Sequence, residues 1–327
     1  MNPLLFTTML ISFLATFSII PFWIKKAKQI GLVWTDMNKY KKKDKVPGSG
    51  GIAVVVGTVI GIFIYIALGT FYFKFIDNTV EILAIISSLF LITGVGLIDD
   101  LFGWRKGGLS RRSRIVLVLF SSVPLIVINA GESTMLGINL GIFYPLVFVP
   151  LGFLGASTTF NFLAGFNGLE ASQGILLLGG LTVVTYLTGN AWLSLIALCM
   201  VASLIAFYIF NKYPAKVFPG DVMTYAVGAM IAIIAIMGNI EKIAIFFFIP
   251  YFLEIILKIR GKLNIHNFGV PNKEGGLDLR YEKIYSLTHL SLKILKKFKK
   301  NVKEREVVLL INAFQIWVML IGLLIFL

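Results

Sequence analysis

The chain has 327 residues, of which 57% are apolar and only 14% are Asp, Glu, Lys or Arg. A soluble domain carries about 25% charged and 45–50% apolar residues, so a soluble globular enzyme, a disordered chain and a disulfide-built secreted scaffold are excluded. The net charge is +14, from 30 Lys and Arg against 16 Asp and Glu; in a soluble protein this excess points to nucleic acid, so the position of the charges decides its meaning.

A membrane-spanning helix needs about 20 apolar residues. The first such run, Pro3 to Ile24, is too long for a signal-peptide core and has no small-residue cleavage site, so it is read as retained. Eight lysines follow in 25–47, together with Asp36-Met37-Asn38-Lys39. The stretch ends on Pro47-Gly48-Ser49-Gly50-Gly51 at the start of the second run, Ile52 to Phe73. Glycines there either cradle a phosphate or simply follow a topogenic lysine run. The third run, Val80 to Leu97, leads directly into Asp99-Asp100. Adjacent carboxylates repel unless a cation is near; the pair suits Mg²⁺, a poised base or a solvated helix end. Arg114 opens the fourth run, Ile115 to Ala130, and the fifth is Gly141 to Phe160.

Asn161-Phe162-Leu163-Ala164-Gly165-Phe166-Asn167-Gly168-Leu169-Glu170-Ala171 comes next. Its glycines let backbone approach a ligand and its amides both donate and accept; a plain turn between helices fits equally. Two shorter apolar runs, Gly174 to Leu187 and Met223 to Met237, flank the run Ala191 to Phe210, which holds the single cysteine, Cys199. Between the last two lies Asn211-Lys212-Tyr213-Pro214-Ala215-Lys216-Val217-Phe218-Pro219-Gly220-Asp221, a proline-fixed loop ending on one carboxylate. Asp221 is either functional or an N-cap. Ile243 to Leu257 and Val307 to Leu327 complete the set, separated by a basic loop over 258–305 that contains Asn264-Ile265-His266-Asn267. From Tyr281 onward, apolar residues at helical spacing against a lysine-rich face predict an amphipathic helix lying on anionic lipid.

These runs predict an all-α integral membrane protein of about ten helices, a single polytopic domain over 1–327 with both termini on one side. Loops on the other side hold 28 of the 30 basic residues; Lys74 and Lys242 are the exceptions. The positive-inside rule then places those loops in the cytoplasm and the termini outside. The basic excess is thus a membrane address, and nucleic acid is not expected as a partner. Asp99, Asp100, Asn161, Asn167, Glu170 and Asp221 all fall on the cytoplasmic side. A transporter would instead place ionisable groups or broken helices near the midplane; Glu254 sits near a helix end, where Lys258 pairs with it at i,i+4.

In this order and on one membrane face, Gly96 to Asp100, Asn161 to Ala171 and Pro214 to Asp221 resemble the motifs of the polyprenyl-phosphate N-acetylhexosamine-1-phosphate transferase superfamily, of glycosyltransferase family 4 type. The resemblance covers nearly the whole chain. Bacterial members carry an Asn-x-x-Asp-Gly-x-Asp-Gly loop and a multi-histidine motif in the last cytoplasmic loop. Here Ala164 and Asn167 stand at those aspartates, His266 stands alone, and Asp221 is followed by Val222-Met223-Thr224-Tyr225. Those departures are similar to the eukaryotic and archaeal dolichyl-phosphate branch, and the compact, lysine- and isoleucine-rich chain leans towards the archaeal side.

The resemblance implies transfer of GlcNAc-1-phosphate from UDP-GlcNAc to dolichyl (polyprenyl) phosphate at the cytoplasmic interface of the bilayer. UMP is released and Mg²⁺ is needed, with Mn²⁺ as an alternative. The membrane would be the plasma membrane in an archaeon and the endoplasmic reticulum in a eukaryote. A bacterial-type undecaprenyl-phosphate transferase is the nearest rival. By the same resemblance Asp221 and Asn161 hold the metal, and Asp99 and Asp100 form a second, catalytic carboxylate set; which of the two acts as base stays open. Asn167 belongs to the uridine and sugar neighbourhood, Glu170 binds substrate, Arg114 faces phosphate, and His266 stands near the sugar diphosphate. Arginines that flank this histidine in the eukaryotic branch are replaced by Ile265 and Asn267, which opens the question of sugar selectivity. The acceptor chain is expected in a groove near the ninth helix, which Pro250 bends. Superfamily members often dimerise, so a homodimer is allowed.

Overall fold

The computed structural model describes residues 6–40, 45–74, 78–135 and 138–327. The start of the first expected span at Pro3 and the lysines at 41–43 lie outside the described residues. The chain forms thirteen α-helices among the described residues: α1 (Phe6–Ile30), α2 (Gly51–Ala67), α3 (Thr79–Lys106), α4 (Arg111–Ser121), α5 (Val123–Val127), α6 (Val149–Phe162), α7 (Leu169–Leu187), α8 (Ala191–Asn211), α9 (Asp221–Met237), α10 (Glu241–Phe247), α11 (Ile249–Arg260), α12 (Leu287–Phe298) and α13 (Glu304–Phe326). One π-helical turn, Leu68–Phe73, extends α2, and another, Tyr144–Phe148, leads into α6. Three two-stranded antiparallel hairpins decorate the ends; in the first, Val33–Thr35 pairs with Lys45–Pro47, with Trp34 opposite Val46.

Among the described residues seven helical segments are long and apolar enough to cross a membrane by length and composition. Helix α9 is shorter, yet every residue from Val222 to Ile236 is buried. A helix apolar on all sides belongs in the interior, and α9 is the central post, packed on α3, α6, α7 and α2. At the periphery, α1 turns Leu10, Leu14 and Phe22 outward, as a lipid-facing helix does. Its other face meets α2 through small residues. A Cβ on Gly57 or Gly61 would lie within 2 Å of the Thr16 or Ser12 hydroxyl, so this Gly-x-x-x-Gly stripe sets how closely the two backbones approach.

Four boundaries differ from the sequence expectation. Helix α3 does not stop at Leu97 but continues to Lys106, placing Asp99 and Asp100 inside it. The fourth run divides into α4 and α5, with Pro124 in the first turn of α5. The ninth divides into α10 and α11 around Phe248, and Pro250, which lacks an N–H and clashes with the preceding turn, opens the second part. The amphipathic helix begins at Leu287 rather than Tyr281, because Ser286 takes the N-cap position and its hydroxyl accepts from the Thr288 N–H at 3.3 Å. Glu254 reinforces that start: Oε2 accepts from the Leu287 N–H at 2.7 Å and the Ser286 hydroxyl at 3.1 Å, while Lys258 stands 4.0 Å from Oε1.

Candidate active site

The two adjacent aspartates of α3 face different partners, since neighbours on a helix point about 100° apart. Asp100 caps α9: Oδ1 accepts from the Asp221 N–H at 2.8 Å and Oδ2 from the Val222 N–H at 3.5 Å. A carboxylate is favoured there because the first N–H groups of a helix have no partner within it. Gly220, at φ +72°, permits the approach, for a Cβ would stand 2.1 Å from Asp100 Oδ2. One turn earlier, Gly96 lets α3 lie against α9, where a Cβ would meet the Val222 Cα at 2.6 Å. Asp99 turns towards α4 instead. Arg114 grips it along one edge of its guanidinium: Nε stands 2.7 Å from Oδ2 as an ion pair, and Nη2 donates to Oδ1 at 3.1 Å. The Leu109 N–H adds a bond of 2.8 Å and the Tyr225 hydroxyl one of 3.4 Å. Both carboxylates are buried.

The segment 161–170 joins α6 to α7 and is held from several directions. Asn161 Oδ1 accepts from the Thr224 hydroxyl at 3.1 Å. Glu170, expected to meet substrate, is buried and receives the Gly165 N–H on Oε1 at 2.7 Å, so it shapes its own loop. Asn167 Nδ2 donates to Asp36 Oδ2 at 3.0 Å, and its backbone N–H donates to Glu304 Oε1 at 2.7 Å. Asn267 Nδ2 donates to the Phe162 and Ala164 carbonyls, both at 2.8 Å, while Lys258 donates to its Oδ1. The residue suspected of altering sugar selectivity is therefore a buried strut for this loop.

Gly50 and Gly51 do not form a phosphate cradle. Their N–H groups donate to the Phe218 and Pro219 carbonyls at 2.9 Å each, and the Phe218 N–H donates to the Pro47 carbonyl at 2.7 Å. The glycine stretch thus holds the proline loop that delivers Asp221. A Cβ on Gly51 would strike Met223 at 2.2 Å, which explains the residue by contact rather than by ligand.

A cavity of about 690 Å³ opens at this end of the bundle, lined by Asp99, Asp100, Asp221, Arg114, Asn161, Asn167 and Glu170 together with Asp36. Seven of the eight residues expected from sequence meet there. His266 does not: it is exposed, and its ring stacks on Phe268, which does line the cavity. The other histidine, His289 on α12, is buried beside Tyr281, and burial with Lys258 nearby pushes it down to about 4. Among the described residues no three His, Cys, Asp or Glu side chains converge as a ready-made cation cage. The oxygen-only donor set nevertheless fits Mg²⁺, which takes one or two carboxylates and completes its shell with water and substrate phosphate. Asp100 is committed to the α9 cap and Asp99 to Arg114. Asp221 and the second lone pair of Asn161 Oδ1 are then the groups best placed to meet a cation.

Sequence reasoning missed Tyr225, Glu304 and the strut role of Asn267. Asp36 and Asn38 lay in a stretch singled out for its glycines rather than for them. Glu304 carried little signal, because an acidic residue in the first turn of a helix reads as a dipole partner.

The family model described as Glycosyl transferase family 4 matches residues 82–239, from α3 to the turn after α9. A protein of Saccharolobus solfataricus, provisionally named UDP-N-acetylglucosamine–dolichyl-phosphate N-acetylglucosaminephosphotransferase, is 37% identical over 309 residues, 92% of this chain and 90% of its own. The Dictyostelium discoideum protein of that name is 28% identical over 290 residues, 75% of this chain and 69% of its own. A phospho-N-acetylmuramoyl-pentapeptide-transferase of Streptococcus pneumoniae is 30% identical over 257 residues, 75% and 77% of the two chains.

Proposed function

The chain belongs to glycosyl transferase family 4, and from that premise we propose that it moves N-acetylglucosamine 1-phosphate from UDP-GlcNAc to dolichyl phosphate, releasing UMP. The observation that carries this reading is the pairing of a polar and an apolar site on one helix. Helix α6 presents Asn161 to the polar cavity and, two residues earlier, Thr159 to an apolar groove of about 390 Å³. That groove runs past Gly155, Gly152 and Tyr144 and is walled by α9, α10 and α11. A water-soluble sugar nucleotide and a lipid phosphate need one polar and one apolar compartment, and α10 and α11, which meet at Phe248, wall the second. Ten membrane crossings, with both termini outside and the polar cavity at the cytoplasmic face, agree with the distribution of basic residues.

An oxygen of the lipid phosphate attacks the sugar-bearing phosphorus. The new P–O bond replaces the one to the uridylate oxygen, and UMP leaves. Phosphoryl transfer depends on alignment and charge neutralisation more than on a protein nucleophile. Mg²⁺, when held by Asp221 and Asn161, supplies neutralisation to the diphosphate. Arg114, fixed by an ion pair and one hydrogen bond to Asp99, presents the other edge of its guanidinium to phosphate. Asp100 keeps Asp221 in place by holding the first turn of α9. Asn167 and Asp36 offer donors and acceptors to the uridine and sugar.

Purified protein supplied with dolichyl phosphate, Mg²⁺ and UDP-GlcNAc should release UMP, and chelation should stop it. Asp221→Asn should lower turnover by about 10³-fold, on the scale of losing one charge-stabilising group, while the variant stays folded. Near-normal turnover in Asp221→Asn would remove that residue from the metal site. The streptococcal relative motivates the second reading: preference for UDP-MurNAc-pentapeptide with undecaprenyl phosphate would replace the dolichyl assignment.

A further inference from the structure

Glu304 opens α13, far along the chain from every motif, and only 4% of it is exposed. Oε1 gathers two donors: the Asn167 backbone N–H at 2.7 Å and Asn38 Nδ2 at 3.2 Å. Asn38 also reaches the Gly165 carbonyl at 3.3 Å. Three segments, the stretch after the first hairpin strand, the 161–170 loop and the last helix, therefore meet at one carboxylate oxygen. Helix initiation does not explain it, because Glu306 already accepts the Lys303 N–H at 2.7 Å. Among the described residues Oε2 has no hydrogen-bond partner. Burying a carboxylate with one oxygen unpaired is costly, and the two donors gathered on Oε1 are what the position gains for that cost.

The geometry points to a use. With its N–H turned towards Glu304, Asn167 directs its side chain to Asp36, and both line the cavity. We propose that Glu304 is a positioning residue for the nucleotide-sugar donor. It acts through Asn167 and Asp36 and does not touch the substrate. The proposal rests on the transferase reading above. These two side chains carry amide and carboxylate groups, which suit the polar edge of a nucleobase rather than a phosphate.

The test compares E304A, E304D and E304Q in full-length protein, with KM measured separately for UDP-GlcNAc and dolichyl phosphate. Equilibrium binding of UMP is measured alongside. E304A should raise the donor KM and weaken UMP binding about tenfold, the loss expected when one or two hydrogen bonds that hold a contact are removed. The acceptor KM and kcat should change by less than about threefold. E304Q should stay near wild type, because its amide oxygen can occupy the Oε1 place and Oε2 has no bond to lose. E304D, which keeps the charge but withdraws the oxygen by one methylene, should show the same donor-selective rise and covers the case in which E304A does not fold. Unchanged UMP binding in E304A or E304D, an equal loss for donor and acceptor, or E304Q damaged as badly as E304A would each overturn the proposal. UMP binding needs no turnover, so it judges Glu304 even if wild type transfers nothing to dolichyl phosphate, an outcome that counts against the transferase reading instead.

Discussion

Asn267 illustrates how a residue can be legible by position and opaque in role. Its place beside His266 marks it for attention, but its two bonds to the Phe162 and Ala164 carbonyls join segments about a hundred residues apart. No pattern in a single sequence encodes such a pair. Asn267→Ala should lower Tm, because each lost bond is worth about 1 kcal/mol net and the carbonyls are left partly unpaired. The concentration of Mg²⁺ giving half-maximal rate should also rise, since the released backbone adjoins Asn161. A variant with an unaltered Mg²⁺ titration would show that the strut serves stability alone. Asp99, Asp100 and Asp221 were legible because carboxylates at the ends of apolar runs need a reason. Their division of labour, one gripping Arg114 and one capping α9, was not, because it depends on which way each points from its helix.

Between elements, the decisive contact is that of α3 with α9. Gly96→Ala would drive a methyl group into the Val222 backbone at 2.6 Å. Overpacking of this kind costs about 1–3 kcal/mol. A shift of about 1 Å at Asp221 should lower kcat by about 10²-fold, to be read by UMP release beside a thermal melt. Gly155 supplies the contrast: a Cβ there meets nothing within 4 Å, and the residue lines the apolar groove. Gly155→Leu should leave Tm and the donor KM unchanged while raising the acceptor KM. An unchanged acceptor KM would move the lipid elsewhere. Pro250 was legible as a bend in the ninth run, whereas the break at Pro124 and the cap at Ser286 were not. The continuation of α3 past Asp100 was hidden, because an acidic pair reads as an end until its partner on α9 is seen.

Across the whole molecule, the segregation of basic residues makes a prediction about sidedness. Cys199 is buried, so introduced thiols can be labelled against a quiet background. Thr188→Cys should react with a membrane-impermeant maleimide on intact cells, and Lys273→Cys only after the membrane is opened; the reverse pattern would invert the proposed topology. That the chain is built of long apolar helices was readable from composition, since bilayer thickness fixes their length, and seven of that kind stand among the described residues. How they assemble around α9 was not, because packing of small residues leaves little trace in hydropathy. The meeting at Glu304 has a consequence in time. Helix α13 comes after every cavity-lining segment in the chain, and the oxygen that aligns Asn167 arrives only with it. A nascent chain already inserted through α12 holds all the acidic and amide groups that line the cavity, yet lacks the piece that aligns Asn167. On that account donor capture matures only once α13 has been made, and copies that still lack it would draw little on the cell's sugar-nucleotide pool.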